Sequence, residues 1–125
     1  MNTHATPPAA TVFYDGACPI CTAEMAQYRK ARGAECVAFV DVASCDAEAL
    51  APGLTREAAL ARMHVLTADG QMASGAAAFV ALWRALPRFG WAARIAGLPI
   101  VLPLLELGYR GFVRLRRLWR PSRHA

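Results

Sequence analysis

At 125 residues with 56% hydrophobic side chains, the chain has the size and apolar content of one globular domain. Its formal charge of +5 is unevenly placed: five basic against seven acidic side chains up to Arg62, then nine arginines against Asp69 and Glu106. No apolar run follows Met1, which argues against a secretory leader and sets a cytoplasmic location as the expectation. In that compartment a close pair of cysteines reads as catalytic or metal-binding rather than as a structural staple.

Residues 1–10, with two prolines and no apolar run, read as a disordered tail. Residues 11–14 are β-branched and aromatic and predict a first strand, ended by a turn at Asp15 and Gly16. Cys18-Pro19-Ile20-Cys21 follows at the mouth of a helix expected over 19–32. With Cys18 as N-cap, Pro19 falls at the first helical position, where its missing N–H is harmless. The Cys18 sulfur then meets the free amides of Ile20 and Cys21 and the positive end of the helix dipole, which favour thiolate. Cys18 is therefore expected to attack, and Cys21, one turn in and more buried, to resolve. Asp15 has two readings: it closes the turn by accepting from the amides of 16–18, or it accepts the proton of Cys21 during resolution. Either way its carboxylate should point away from Cys18, because an unpaired negative charge there would raise that thiol's pKa. Cys21, Met25 and Tyr28 share the helix's inner stripe, and Gly33 is its expected C-cap.

Residues 36–42 are nearly continuous apolar sequence, as in a buried parallel strand. A short acidic helix over 44–51 is broken by Pro52 and Gly53, and Thr55 caps a second short helix. Residues 63–67 and 72–74 read as a hairpin around Asp69 and Gly70. A helix over 76–86 carries Phe79, Leu82, Trp83 and Leu86 as a core stripe. A strand–helix–strand unit crosses over right-handed and sets its two strands parallel. The fold class is thus α/β, a thioredoxin-like βαβ-ββα layer fold over 11–87. Residues 88–120 form a helical C-terminal extension of the same domain, and 121–125 a second disordered tail. Within the extension, 91–97 is a short helix and 98–107 is apolar but interrupted by Pro99 and Pro103. Residues 108–119 form a basic amphipathic helix. It presents Phe112, Leu115, Leu118 and Trp119 on one side and Arg110, Arg114 and Arg117 on another, with Arg116 and Arg120 flanking. It packs as an extension with a solvated arginine face, or makes peripheral contact with a membrane surface. No nucleic-acid motif accompanies the arginines, so no nucleic-acid partner is expected.

Tyr14-Asp15-Gly16-x-Cys18-x-x-Cys21 resembles the signature of the DCC family of thiol–disulfide oxidoreductases, a thioredoxin-like group. The likeness continues through Phe39-Val40-Asp41, Asp69-Gly70, residues 75–79, the Leu98-Pro99 region and Tyr109-Arg110, over roughly 11–119. It implies the thioredoxin-like fold and dithiol–disulfide exchange. Thioredoxins and glutaredoxins carry a cis-proline just before the hairpin. This chain has Arg62-Met63-His64 there, so a trans link is expected and a platform for backbone pairing with a substrate chain is missing.

The function expected is a thiol–disulfide oxidoreductase with catalytic Cys18, Cys21 and Asp15 and no cofactor, a monomer acting on a protein or low-molecular-weight disulfide. Tyr14, Gly16 and Pro19 around the motif, with Met63 and His64 before the hairpin, are the expected substrate contacts. For His64, a satisfied structural histidine is the competing reading. A metal site of Cys18, Cys21, Cys36 and Cys45 is the rival chemistry, but eight residues separate the second pair, against the two to four usual for zinc. No metal is expected. Cys36 and Cys45 read as small core residues, with Cys45 alternatively a second reactive thiol. A non-catalytic adaptor, docking through the basic C-terminal region on a membrane or protein, is the reading from a different class.

Overall fold

A computed structural model describes residues 8–116 and 118. Of the tails expected at 1–10 and 121–125, residues 1–7 and 121–125 lie outside the described residues, as do Arg117, Trp119 and Arg120; Ala10 is no tail residue but opens the first strand and is buried. The elements in order are β1 (Ala10–Tyr14), α1 (Pro19–Arg29), β2 (Val37–Asp41), α2 (Arg56–Ala61), β3 (His64–Thr67), β4 (Met72–Ser74), α3 (Ala76–Ala85), α4 (Gly90–Ala96) and α5 (Val101–Arg116). The four strands form one sheet in the order β2-β1-β3-β4. β1 runs parallel to β2 and antiparallel to β3, and β3 and β4 form the hairpin. This is the α/β, thioredoxin-like arrangement.

Alternation along β1 divides the core in two. Val12 and Tyr14 face α1 and α3, where Met25, Tyr28, Val65, Leu82 and Leu86 are buried with them. Phe13 faces the other way, onto Val42, Ala59 and Leu60 beside α2. The Phe79–Leu86 stripe is core as expected, and Trp83 donates its indole N–H to the Tyr28 hydroxyl (3.0 Å).

Four local expectations need correction. β2 is the sheet's edge strand, so only Val37 is buried and Ala38 to Asp41 are half-buried. α1 stops at Arg29, where Lys30 donates its N–H to the Gln27 carbonyl and tightens the last turn; Gly33, at φ +91°, turns the chain a few residues later. The acidic helix over 44–51 is reduced to one 3₁₀ turn, Ala47–Ala49. The Asp41 carboxylate accepts from the Ala43 N–H and the Ser44 hydroxyl and winds the chain into a tight turn first, and Pro52 disfavours helix at Ala51. The C-terminal region does not split at Gly108 but forms one helix, α5. Pro103 is its third residue, where no intrahelical partner is needed for the missing N–H.

α5 is bound into the core by a carboxylate. Glu106 accepts from the Ala76 N–H (3.1 Å) at the start of α3, pairs with Arg62 and takes the Arg110 Nε–H (3.0 Å) one turn on. An anion at the N-terminus of α3 is favoured by the helix dipole. Gly75, which leads into α3, is required there: its φ is +64°, and a Cβ would run into the Arg62 guanidinium.

Candidate active site

The β1–α1 turn is built by two aspartates. Asp15 accepts the Ala17 N–H on its carboxylate (3.0 Å) and the Cys18 N–H on its backbone carbonyl (3.1 Å). The Gly16 N–H goes instead to Asp41 at the end of β2 (2.9 Å). A Cβ on Gly16 would strike that carboxylate, so the aspartate–amide bond requires the glycine. Asp15 is almost fully buried, at 2% exposure. The turn-closing reading of Asp15 holds in part: it takes one of the three amides considered, and Asp41 shares the work.

Cys18 is the N-cap of α1, with extended backbone (φ −89°, ψ 116°), and its Sγ accepts the Cys21 N–H at 3.3 Å. Pro19 follows at the first helical position. The order of burial is the reverse of that expected. Cys18 is completely buried, whereas Cys21 is half-buried and faces a cavity. An N-cap side chain curls back over the first turn, and on this turn that side faces the interior. Both cysteines are free thiols. The Cys21 pKa is pushed up to about 12, first by burial and then by a hydrogen bond from its thiol to Cys18, with Arg116 working in the opposite direction. In the reduced pair Cys21 therefore keeps its proton.

The cavity, about 230 Å³, is lined by Tyr14 and Asp15 from the end of β1 and by Ile20, Cys21, Glu24 and Met25 from α1. Met63 and Phe79 add to it, and Tyr109, Phe112 and Arg116 of α5 close it. Of the expected site residues, Tyr14, Asp15, Cys21 and Met63 thus come together. Gly16 and Pro19 do not line the cavity: Gly16 is occupied by Asp41, and Pro19 faces solvent. His64 is also absent from the lining. Its Nδ1 lies 2.8 Å from the Arg62 carbonyl, and burial lowers its pKa, as for a histidine held neutral by structure.

The residues missed are those of α5. Arg116, which the sequence placed only as flanking the arginine face, is buried at 6% exposure. Its Nη1 donates to Cys21 Sγ (3.5 Å), and its Nη2 to the carbonyls of Leu60 (2.7 Å) and Ala61 (3.2 Å) at the end of α2. Burial opposes its charge, but Cys21, Tyr109 and Asp15 outweigh that and push its pKa up. Tyr109 accepts the Met63 N–H on its hydroxyl (2.6 Å), with its ring edge-on to Phe79. The backbone donor at the loop before the hairpin is therefore already taken, and the described peptide bonds there are trans. The signal available in the sequence was the spacing of Glu106, Tyr109, Phe112 and Arg116, at i, i+3, i+6 and i+10, which follows one face of a helix.

Cys36 is exposed, not a core residue, and Cys45 is half-buried with Arg56 Nη1 3.9 Å from its sulfur. Among the described residues no three His, Cys, Asp or Glu side chains stand close enough to share a metal ion.

No match was found among curated proteins or among solved structures. A family profile described as DCC1-like thiol-disulfide oxidoreductase matches residues 12–121, which takes in the aspartate turn, both cysteines and all of α5. The chain therefore belongs to the DCC1-like thiol-disulfide oxidoreductase family.

Proposed function

We propose that this chain carries out dithiol–disulfide exchange through Cys18 and Cys21, on the disulfide of a protein or a low-molecular-weight thiol. The observation that carries the reading is the N-cap pair itself. Cys18 caps α1 and accepts the Cys21 N–H on its sulfur, at the helix end whose free amides and dipole favour negative charge. In the forward step Cys18 thiolate attacks one sulfur of the substrate disulfide. The substrate S–S bond breaks, and the leaving thiolate takes a proton. Cys21 then loses its proton, attacks Cys18 and expels the second substrate thiol, leaving a Cys18–Cys21 disulfide and two substrate thiols. The Arg116 guanidinium stabilises negative charge on Cys21 as that proton leaves, and Asp15, on the same cavity, is the acceptor for it.

The complete burial of Cys18 favours a second order of events. In that order the proton passes from Cys21 to Cys18, Cys21 attacks from the cavity beside Arg116, and Cys18 resolves. Trapping separates the two. With a disulfide substrate, Cys21→Ser accumulates a mixed disulfide and Cys18→Ser accumulates none if Cys18 attacks; the opposite pattern assigns attack to Cys21. No adduct with either variant, while the wild type also leaves substrate disulfide intact, would refute exchange at this pair.

A further inference from the structure

Nine of the eleven large apolar side chains exposed among the described residues fall between Trp91 and Leu118. On α5 three of them form a face beside the one that lines the cavity, while Leu105 lies on the cavity side and, with Leu104, borders a groove shared with Phe79 and Tyr109. Leu104, Leu107 and Leu115 follow each other at helical spacing, with Gly111 between the last two. Ile100 and Leu118, at 76% and 78% exposure, continue the face beyond both ends of the helix. On α4, Trp91 and Ile95 stand outward one turn apart.

The surroundings of this surface carry one sign of charge. Arg110 and Arg114 are exposed three and seven residues beyond Leu107, and Arg88 and Arg94 are exposed on and before α4. The single acid from 84 to 116 is Glu106, which is spent on Arg62, Arg110 and the Ala76 amide. We propose that α4 and α5 dock this surface on an anionic lipid bilayer, the leucines entering the headgroup boundary and the arginines meeting lipid phosphates.

The geometry suits lying on a membrane rather than crossing it. α5, at 16 residues, is about 24 Å long, short of the roughly 30 Å hydrocarbon core, and the chain bends by 99° between Pro87–Ala96 and α5, so no single helix among the described residues is long and apolar enough to cross. Charge argues against a second copy as the occupant. A two-fold contact through this face would set each copy's arginines around those of the other with no acid to meet them. Docking would hold the Cys21 cavity, walled by the inner side of the same helix, directly under the lipid surface. The inference does not depend on the exchange reading.

The test is cosedimentation of the full chain with vesicles of phosphatidylcholine alone and of phosphatidylcholine mixed with phosphatidylglycerol. Binding is expected to the mixed vesicles and to weaken as salt is raised. Leu104→Ser/Leu107→Ser/Leu115→Ser and Arg110→Gln/Arg114→Gln should each weaken it by about tenfold or more. All five positions are exposed, and an unchanged melting profile confirms that each variant is folded. Wild-type protein left in the supernatant with mixed vesicles, or a folded leucine variant that binds as well as wild type, would overturn the proposal. So would a lipid-free dimer, seen by sedimentation velocity, that the leucine substitutions dissolve and that does not bind vesicles.

Discussion

Arg116 reaches Cys21 from the far end of the chain and holds its place by two bonds to the carbonyls that end α2. Its position makes two effects separable. Arg116→Met removes the positive charge beside Cys21, so the Cys21 pKa, already pushed up to about 12, rises further. One unit is tenfold in thiolate, so the step that uses Cys21 as nucleophile should slow by about tenfold or more. The same change leaves the Leu60 and Ala61 carbonyls without their donor, which costs about 1–3 kcal/mol. Arg116→Lys restores the charge without the planar fork, so it should recover part of the rate. Rapid-quench measurement of Cys21 turnover, beside thermal melting, reads the two separately; an unchanged rate in the methionine variant would remove Arg116 from the chemistry. The Cys18 cap was legible because capping is local: a proline one residue on and a cysteine three on define it. The order of burial of the two thiols was not, because it depends on what packs over the turn from elsewhere.

At the scale of elements, α5 is the part whose role the sequence hid. Pro99, Pro103 and Gly108 argued for a broken segment, and each is tolerated for a local reason: before the helix, in its first turn, and on its solvent side. The arginine-rich composition then pointed outward, while the inward stripe of Glu106, Tyr109 and Arg116, of which Arg116 is buried and the others half-buried, is made of polar residue types that periodicity of apolar residues does not register. Glu106 is the anchor, and its pKa is lowered: burial acts to raise it, but the bonds from Arg62, the Ala76 amide and Arg110 prevail. A carboxyl with a depressed folded pKa contributes stability that is fully present above its unfolded value, near 4.5, and is lost as pH falls through the lower folded value. Glu106→Gln should therefore lower the melting temperature at pH 7 by several degrees, from loss of about 1–2 kcal/mol, and should flatten the acid limb of stability against pH. Equal melting of variant and wild type at pH 7 would show that α5 is held by its apolar contacts alone.

Across the whole molecule, the order strand, helix, strand, hairpin, helix was enough to give the sheet, because right-handed crossover leaves one way to lay β2 beside β1. What it did not give is that the chain comes back on itself. The loop before the hairpin has its backbone donor, the Met63 N–H, taken by the Tyr109 hydroxyl, and the Cys21 cavity has a wall contributed 95 residues after Cys21. Such a contact leaves no periodic trace in either segment; only the folded chain brings them together. The central claim is that Cys18 and Cys21 form and release a disulfide with each other beneath this wall. Equilibration of the full chain across a range of reduced-to-oxidised glutathione ratios, followed by acid quench, alkylation and peptide mass spectrometry, tests it directly. The account predicts a Cys18–Cys21 disulfide that appears and disappears as a reversible two-electron transition, with Cys36 and Cys45 outside it. Thiols that stay reduced at every ratio, or a disulfide that joins either cysteine to Cys36 or Cys45, would contradict it.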